Sequence, residues 1–127
     1  MAVPRDFSLT VNSHNGSVPP RYRKSTTWTL GADGTGEEVR RKGYGNGDVT
    51  TQSLQVHPAE VEALIQDLEA LGAMETGWRE PDRPRIGGGG FSVRLTMGDR
   101  SIHIPLQVVE EQRDRRDAVV ERILQLL

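Results

Sequence analysis

The sequence has no cysteine, few aromatic residues and no long apolar run. The absence of cysteine excludes disulfide bonds and thiolate metal sites, and it fits a reducing compartment. No segment approaches the ~18 apolar residues that span a bilayer, and the N-terminus lacks the apolar region of a signal peptide. We therefore expect a soluble, cytoplasmic protein that does not contact a membrane.

The charge balance is close to neutral, with a formal net charge of −2 over 127 residues. Dedicated nucleic-acid-binding domains normally carry a strong positive charge, so this balance disfavours a nucleic-acid partner. The length suits one domain, and a hydrophobic content of 35% indicates a modest core built on leucine, valine and isoleucine. We predict a single domain over residues 1–127.

Motifs that carry chemistry are missing. The histidines His14, His57 and His103 do not have the spacing of metal ligands, and no serine lies in a nucleophile-elbow motif. The glycine run Gly87–Gly90 precedes a predicted strand, whereas a phosphate-binding loop leads into a helix. The sequence therefore predicts a non-enzymatic protein with no catalytic residue, metal or cofactor. A small enzyme, with a site assembled from Asp, Glu, His and Arg side chains on distant strands, is the less favoured alternative.

The segment Phe91–Leu106 has the pattern of a β-hairpin. Gly98-Asp99 at its centre is typical of a two-residue type II′ turn, which fixes the register of the two strands. The predicted apolar pairs are Leu95 with Ile102, Val93 with Ile104 and Phe91 with Leu106, and the polar pairs are Thr96 with Ser101 and Arg94 with His103. One face of this hairpin should line the core, and the other should face solvent.

The remaining pattern predicts four strands before the hairpin and two helices around it. The strands are expected at Phe7–Val11, Arg21–Leu30, Glu37–Gly43 and Val49–Val56, and the helices at Pro58–Leu71 and Glu110–Leu127. The charges of the third strand favour an exposed or edge position. The order ββββ-α-ββ-α predicts an α+β fold: an antiparallel sheet of about six strands with two helices packed on one face.

The loop Asn12–Arg21 is the candidate partner-binding site. It is long for a hairpin connection, and its Pro19-Pro20 pair stiffens the backbone. A rigid exposed loop loses little conformational entropy when it binds a partner. The predicted partner-binding residues are Asn15, Gly16, Ser17, Val18, Pro19, Pro20 and Arg21. The alternative is a structural role, in which the proline pair only sets up the second strand and protects the end of the sheet.

Basic residues on the second and third predicted strands support an alternative, nucleic-acid-binding function. Two clusters on neighbouring strands would form one positive patch with aromatic residues beside it. The segment 42–45 matches the first four positions of an RNA-binding motif, but the next positions lack its aromatic residues. The residues predicted for this alternative are Arg23, Lys24, Arg40, Arg41, Lys42 and Tyr44.

The order of elements around the loop resembles that of emfourins, small bacterial inhibitors of thermolysin-type metalloproteases. That family has a glycine-containing loop ending in Pro-Arg, comparable to Asn15–Arg21, and an apolar helix comparable to Val61–Leu71. A loop with tryptophan and proline then leads into a hairpin like Phe91–Ile104, and a helix follows. The segment Gly31–Val56 is an addition to this pattern. The resemblance implies a protein-binding module that inhibits a protease through the loop Asn12–Arg21.

Overall fold

The computed structural model describes residues 4–16, 19, 22–43, 48–84 and 89–127. It has an α+β fold with one six-stranded antiparallel sheet and two α-helices, as the order of elements predicts. The strands are β1 (Ser8–His14), β2 (Lys24–Gly31), β3 (Thr35–Lys42), β4 (Val49–Gln55), β5 (Gly90–Met97) and β6 (Arg100–Ile104). The helices are α1 (Pro58–Ala70) and α2 (Arg113–Leu126), with a 3₁₀ turn at Glu110–Gln112 before α2.

The strand order in the sheet is β4-β3-β2-β1-β5-β6. The first four strands form a meander, and the connection through α1 then brings β5 against the free side of β1. The edges of the sheet are therefore β4 and β6. The sequence predicts an exposed or edge position for the third strand. β3 has no buried residue, and the edge position itself belongs to β4.

The register of the β5–β6 hairpin is confirmed for four of the five predicted pairs, from Val93 with Ile104 to Thr96 with Ser101. Gly98 has a φ of 64°, and Asp99 does not share this positive φ, as a type II′ turn requires. The predicted pair of Phe91 with Leu106 does not form. The ladder ends at Ile104 because the next residue is a proline, which has no backbone N–H to donate.

The core lies between the two helices and one face of the sheet. The apolar residues of β1, β2, β5 and β6 point to this face, and the helices contribute their apolar stripes. The largest fully buried side chains are Leu9, Val11, Val61, Leu64, Ile65, Leu68, Val93, Leu95, Val119, Ile104 and Ile123. Among the described residues, no helix is long and apolar enough to cross a membrane.

The strands β3 and β4 extend beyond the helices. Neither strand contains a buried residue, and Leu54, which packs against the core, is the only residue of β4 that is not exposed. The turn between β2 and β3 is held to the end of β4, because Val56 N–H donates to the Gly34 carbonyl at 2.8 Å. We call this pair of strands the β3–β4 extension, and both of its faces are accessible.

Three element boundaries differ from the sequence prediction by three residues, and the others differ by no more than two. β1 continues past Val11 to His14, because its polar end still pairs with both β2 and β5. β2 begins at Lys24; the predicted first residue, Arg21, lies outside the described residues, and Tyr22 and Arg23 precede the strand. The last helix begins as a 3₁₀ turn at Glu110 before the α-helical part.

Candidate functional site

The loop between β1 and β2 is closed at its base by Asn15. The backbone N–H of Asn15 donates to the Lys24 carbonyl at 3.2 Å, and its side-chain Oδ1 accepts from the Lys24 N–H at 3.0 Å. Its side-chain Nδ2 donates to the Tyr22 carbonyl at 2.6 Å. We call residues Asn15, Gly16, Tyr22, Arg23 and Lys24 the loop neck. One asparagine thus fixes both sides of the neck.

Arg23 and His14 hold the other side of the neck. The Arg23 guanidinium donates to the Gly16 carbonyl at 2.6 Å and lies 3.1 Å from His14 Nδ1. The same His14 nitrogen accepts from the Gly16 N–H at 3.0 Å, so Nδ1 carries no proton in this arrangement. Gly16 has a φ of 88°, a left-handed conformation that favours glycine.

Tyr22 is the most exposed large hydrophobic residue of the described chain, with 53% of its surface accessible. Its backbone N–H donates to the Pro19 carbonyl at 2.9 Å, so these two residues are joined directly. Pro19 is exposed as well. An exposed tyrosine and proline therefore lie beside each other at one end of the sheet.

The described part of the predicted partner-binding site is Asn15, Gly16 and Pro19, while Ser17, Val18, Pro20 and Arg21 lie outside the described residues. The sequence prediction missed His14 and Tyr22 as parts of this site, and it assigned Arg23 to the nucleic-acid alternative. No local pattern indicates these roles, because the hydrogen bonds join residues seven to nine positions apart.

The start of β5 supports the neck from the other side. A Cβ atom on Gly89 would lie 2.4 Å from the His14 carbonyl oxygen, so only glycine allows this close approach.

The Arg116 side chain of α2 donates to the Phe91 carbonyl and, at 3.2 Å, to the Pro105 carbonyl. Burial lowers the pKa of Arg116. The arginine thus ties α2 to β5 and to the end of β6.

The basic residues of the nucleic-acid alternative do not form the single patch predicted. Lys24 lies directly opposite Lys42 on the helix side of the sheet, while Arg41 lies on the other face. Arg23 turns toward the loop neck. Side chains alternate between the faces of a strand, so a cluster that is continuous in sequence is divided in space. Tyr44 lies outside the described residues.

The basic face of the β3–β4 extension also carries acidic groups. Glu38 accepts from Trp28 Nε1 at 2.9 Å and forms an ion pair with Arg40 at 3.4 Å. Asp48 lines the same shallow groove as Lys42. The charge of this face is therefore mixed, with Lys24 and Lys42 as its most basic part.

The described ranges contain no group of three histidine or carboxylate side chains that could hold a metal ion. No protein-family model matches the chain, and a comparison with curated proteins also found no match. Function is therefore inferred from the geometry of the loop neck and of the sheet.

Proposed function

We propose that this protein is a non-enzymatic protein-binding module that presents the loop Asn12–Arg21 to its partner. The observation that carries the proposal is the hydrogen-bonded neck formed by Asn15 and Arg23. A loop whose base is fixed in the free protein loses less conformational entropy when it binds, so more of its contact energy contributes to affinity.

Tyr22 is the proposed anchor of the contact. Tyrosine is enriched among residues that dominate binding energy, because it buries a large rigid surface and still offers a hydroxyl for hydrogen bonding. Its exposure of 53% beside the exposed Pro19 leaves this surface accessible at the base of the loop.

The proposed partner class is a thermolysin-type metalloprotease. This part of the proposal rests on the resemblance to emfourins, in which the corresponding loop acts on the protease. The lack of cysteine supports a reducing compartment, so the cytoplasm remains the predicted location.

The loop can be tested by replacing Val18-Pro19-Pro20 with Gly-Ser-Gly. The replacement removes the stiff proline pair while leaving the neck residues in place. We expect the wild type to inhibit peptide hydrolysis by a thermolysin-type protease, and the loop variant to require at least about tenfold more protein, equivalent to ~1.4 kcal/mol.

A matched control replaces Pro81-Asp82-Arg83 with the same Gly-Ser-Gly, in an irregular segment outside the candidate site. The control should inhibit as the wild type does. Inhibition by the loop variant equal to that of the control would show that the loop is not the contact. An absence of inhibition by the wild type would remove the metalloprotease as the partner class.

Nucleic-acid binding is the second candidate, favoured by one observation. Like charges directly opposite each other on neighbouring strands are destabilising, and Lys24 faces Lys42 in this way. A bound phosphate would relieve this repulsion. We expect Lys24→Ala with Lys42→Ala to weaken binding of a random single strand about tenfold, measured by fluorescence anisotropy, with a steep dependence on salt. If the anisotropy of the labelled single strand does not change when the wild-type protein is added at low salt, this candidate is ruled out.

A further inference from the structure

The edge strand β4 has the features of a strand that pairs with another chain. Its sequence, VTTQSLQ, contains no charged residue, no proline and no glycine, and all its residues except Leu54 are exposed. Edge strands of natural proteins are usually protected by such residues, by a bulge or by a covering element. In the described part of the chain, no strand lies beside the free edge of β4.

The opposite edge of the sheet is protected. β6 has five residues, including Arg100 and His103, and it stops at Pro105. The Arg100 side chain reaches across to Glu69 of α1 at 3.7 Å, so a charged pair lies beside the turn end of the strand. The difference between the two edges singles out β4.

The hydrogen bonds at both ends of β4 show which backbone groups face outward. Lys42 N–H donates to the Asp48 carbonyl at 2.9 Å, and Val56 N–H donates to the Gly34 carbonyl at 2.8 Å. In an antiparallel ladder, every second facing pair of residues exchanges hydrogen bonds. Since the pairs that contain Asp48 and Val56 are bonded, the even-numbered residues of β4 bond to β3. The backbone groups that point away from the sheet therefore belong to Val49, Thr51, Ser53 and Gln55.

We propose that β4 pairs antiparallel with the β4 strand of a second copy of this chain, about a twofold axis at Gln52. This register joins the two sheets into one continuous sheet. The facing pairs are Val49 with Gln55, Thr50 with Leu54, Thr51 with Ser53, and Gln52 with the same residue of the second copy. Every outward N–H and carbonyl of the strand then gains a partner.

The sequence of β4 fits a second copy because the strand can pair antiparallel with itself without bringing like charges together. In a twofold interface the same surface is used on both sides, so any charge near the axis would meet a like charge. β4 has none. The nearest charge on the helix side is Glu38 of β3, opposite Gln52. The two Glu38 side chains would be three strand spacings apart, about 14 Å, which exceeds the Debye length in physiological salt.

Side-chain pairing across the axis is also favourable. Val49 is 52% exposed and would lie against the aliphatic stem of Gln55. The partly buried Leu54, which packs against the margin of the core, would contact the methyl group of Thr50. Threonine and valine suit paired strands, and such cross-strand pairs contribute a few tenths of a kcal/mol each. A strand of seven residues forms a small interface, so the dimer should be weak and depend on concentration.

The test is sedimentation equilibrium of the full chain from about 1 µM to about 1 mM, a range that covers weak complexes. The mass of the wild type should rise from 14.1 kDa toward twice that value. Gln52→Lys places two lysines opposite each other at the axis and should weaken association at least about tenfold. Gln66→Lys, on the exposed side of α1, is the matched control and should associate as the wild type does.

A charge exchange identifies the register. Gln52→Glu alone should also associate at least about tenfold more weakly than the wild type, and an equimolar mixture of Gln52→Lys and Gln52→Glu should restore the association. A wild type that is monomeric over the whole range would overturn the proposal. So would a dimer that Gln52→Lys leaves unchanged, because that dimer would use another surface.

Amide exchange of the wild type provides a test that needs no variant. The N–H groups of Thr51 and Ser53 should exchange more slowly as the protein concentration increases. Those of Gln52 and Leu54, already bonded to β3, should exchange at the same rate at all concentrations. Equal behaviour of the two sets would contradict the pairing, whatever the variants do.

Discussion

Leu95→Ala should lower the free energy of unfolding by about 3–4 kcal/mol, because deleting a buried leucine side chain leaves a cavity. Leu95 is 1% exposed, and it lies between Leu9 of β1 and Ile102 of β6 on the helix side of the sheet. Urea unfolding followed by circular dichroism measures the change. The midpoint should fall while the slope with denaturant stays constant.

The control for this change is the neighbouring Arg94→Ala. Arg94 lies on the opposite, exposed face of β5, so its replacement should change the stability by no more than about 0.5 kcal/mol. If the two variants were equally stable, the assignment of the buried and exposed faces of the sheet would be wrong.

Arg116→Met should lower the free energy of unfolding by about 2–4 kcal/mol. The arginine side chain is only 13% exposed and donates hydrogen bonds to the carbonyls of Phe91 and Pro105. Methionine keeps much of the volume but leaves both carbonyls without their charged donor, and each loss of a partly buried hydrogen bond is unfavourable. The measurement is again urea unfolding.

Two further variants separate the hydrogen bonds from the charge. Arg116→Lys retains the charge, but one ammonium group cannot reproduce the planar fork that reaches two carbonyls, so we expect an intermediate loss. Arg113→Met removes an arginine in an exposed ion pair with Glu110 and should have little effect. Wild-type stability of Arg116→Met would mean that this arginine does not fasten α2 to the sheet.

The β5–β6 hairpin could be predicted from the sequence because all its information is local. Gly98 fixes the turn, and the alternation of side chains fixes the faces. The same reasoning failed at the end of β1, where Asn12–His14 are polar on both faces. Those residues are in a strand because β2 and β5 lie on either side of them, which no local pattern records.

The candidate site was only partly predictable for the same reason. The proline pair marked the loop, but the neck depends on contacts between His14, Asn15 and Arg23 across the loop. Arg116 belongs to the charged half of the last helix, a pattern typical of an exposed surface. Its long side chain nevertheless reaches two backbone carbonyls beneath the helix.

The predicted basic patch does not form, because its residues lie on different faces of the sheet. Arg40, Arg41 and Lys42 are consecutive, and a strand must place Arg41 on the opposite face from its two neighbours. The proposal for β4 also depends on the strand order. The lack of charge in β4 points to pairing with a second copy only because β4 is an edge strand, bonded to β3 on one side and to no strand on the other.

Isothermal titration of a thermolysin-type protease tests the central claim, binding through the loop Asn12–Arg21, most directly. The titrants are the wild type, the Gly-Ser-Gly variant of Val18-Pro19-Pro20, and the Gly-Ser-Gly control at Pro81-Asp82-Arg83. The account predicts equal binding by the wild type and the control, and binding at least about tenfold weaker by the loop variant. Equal affinity of all three proteins, or no binding by the wild type, would contradict it.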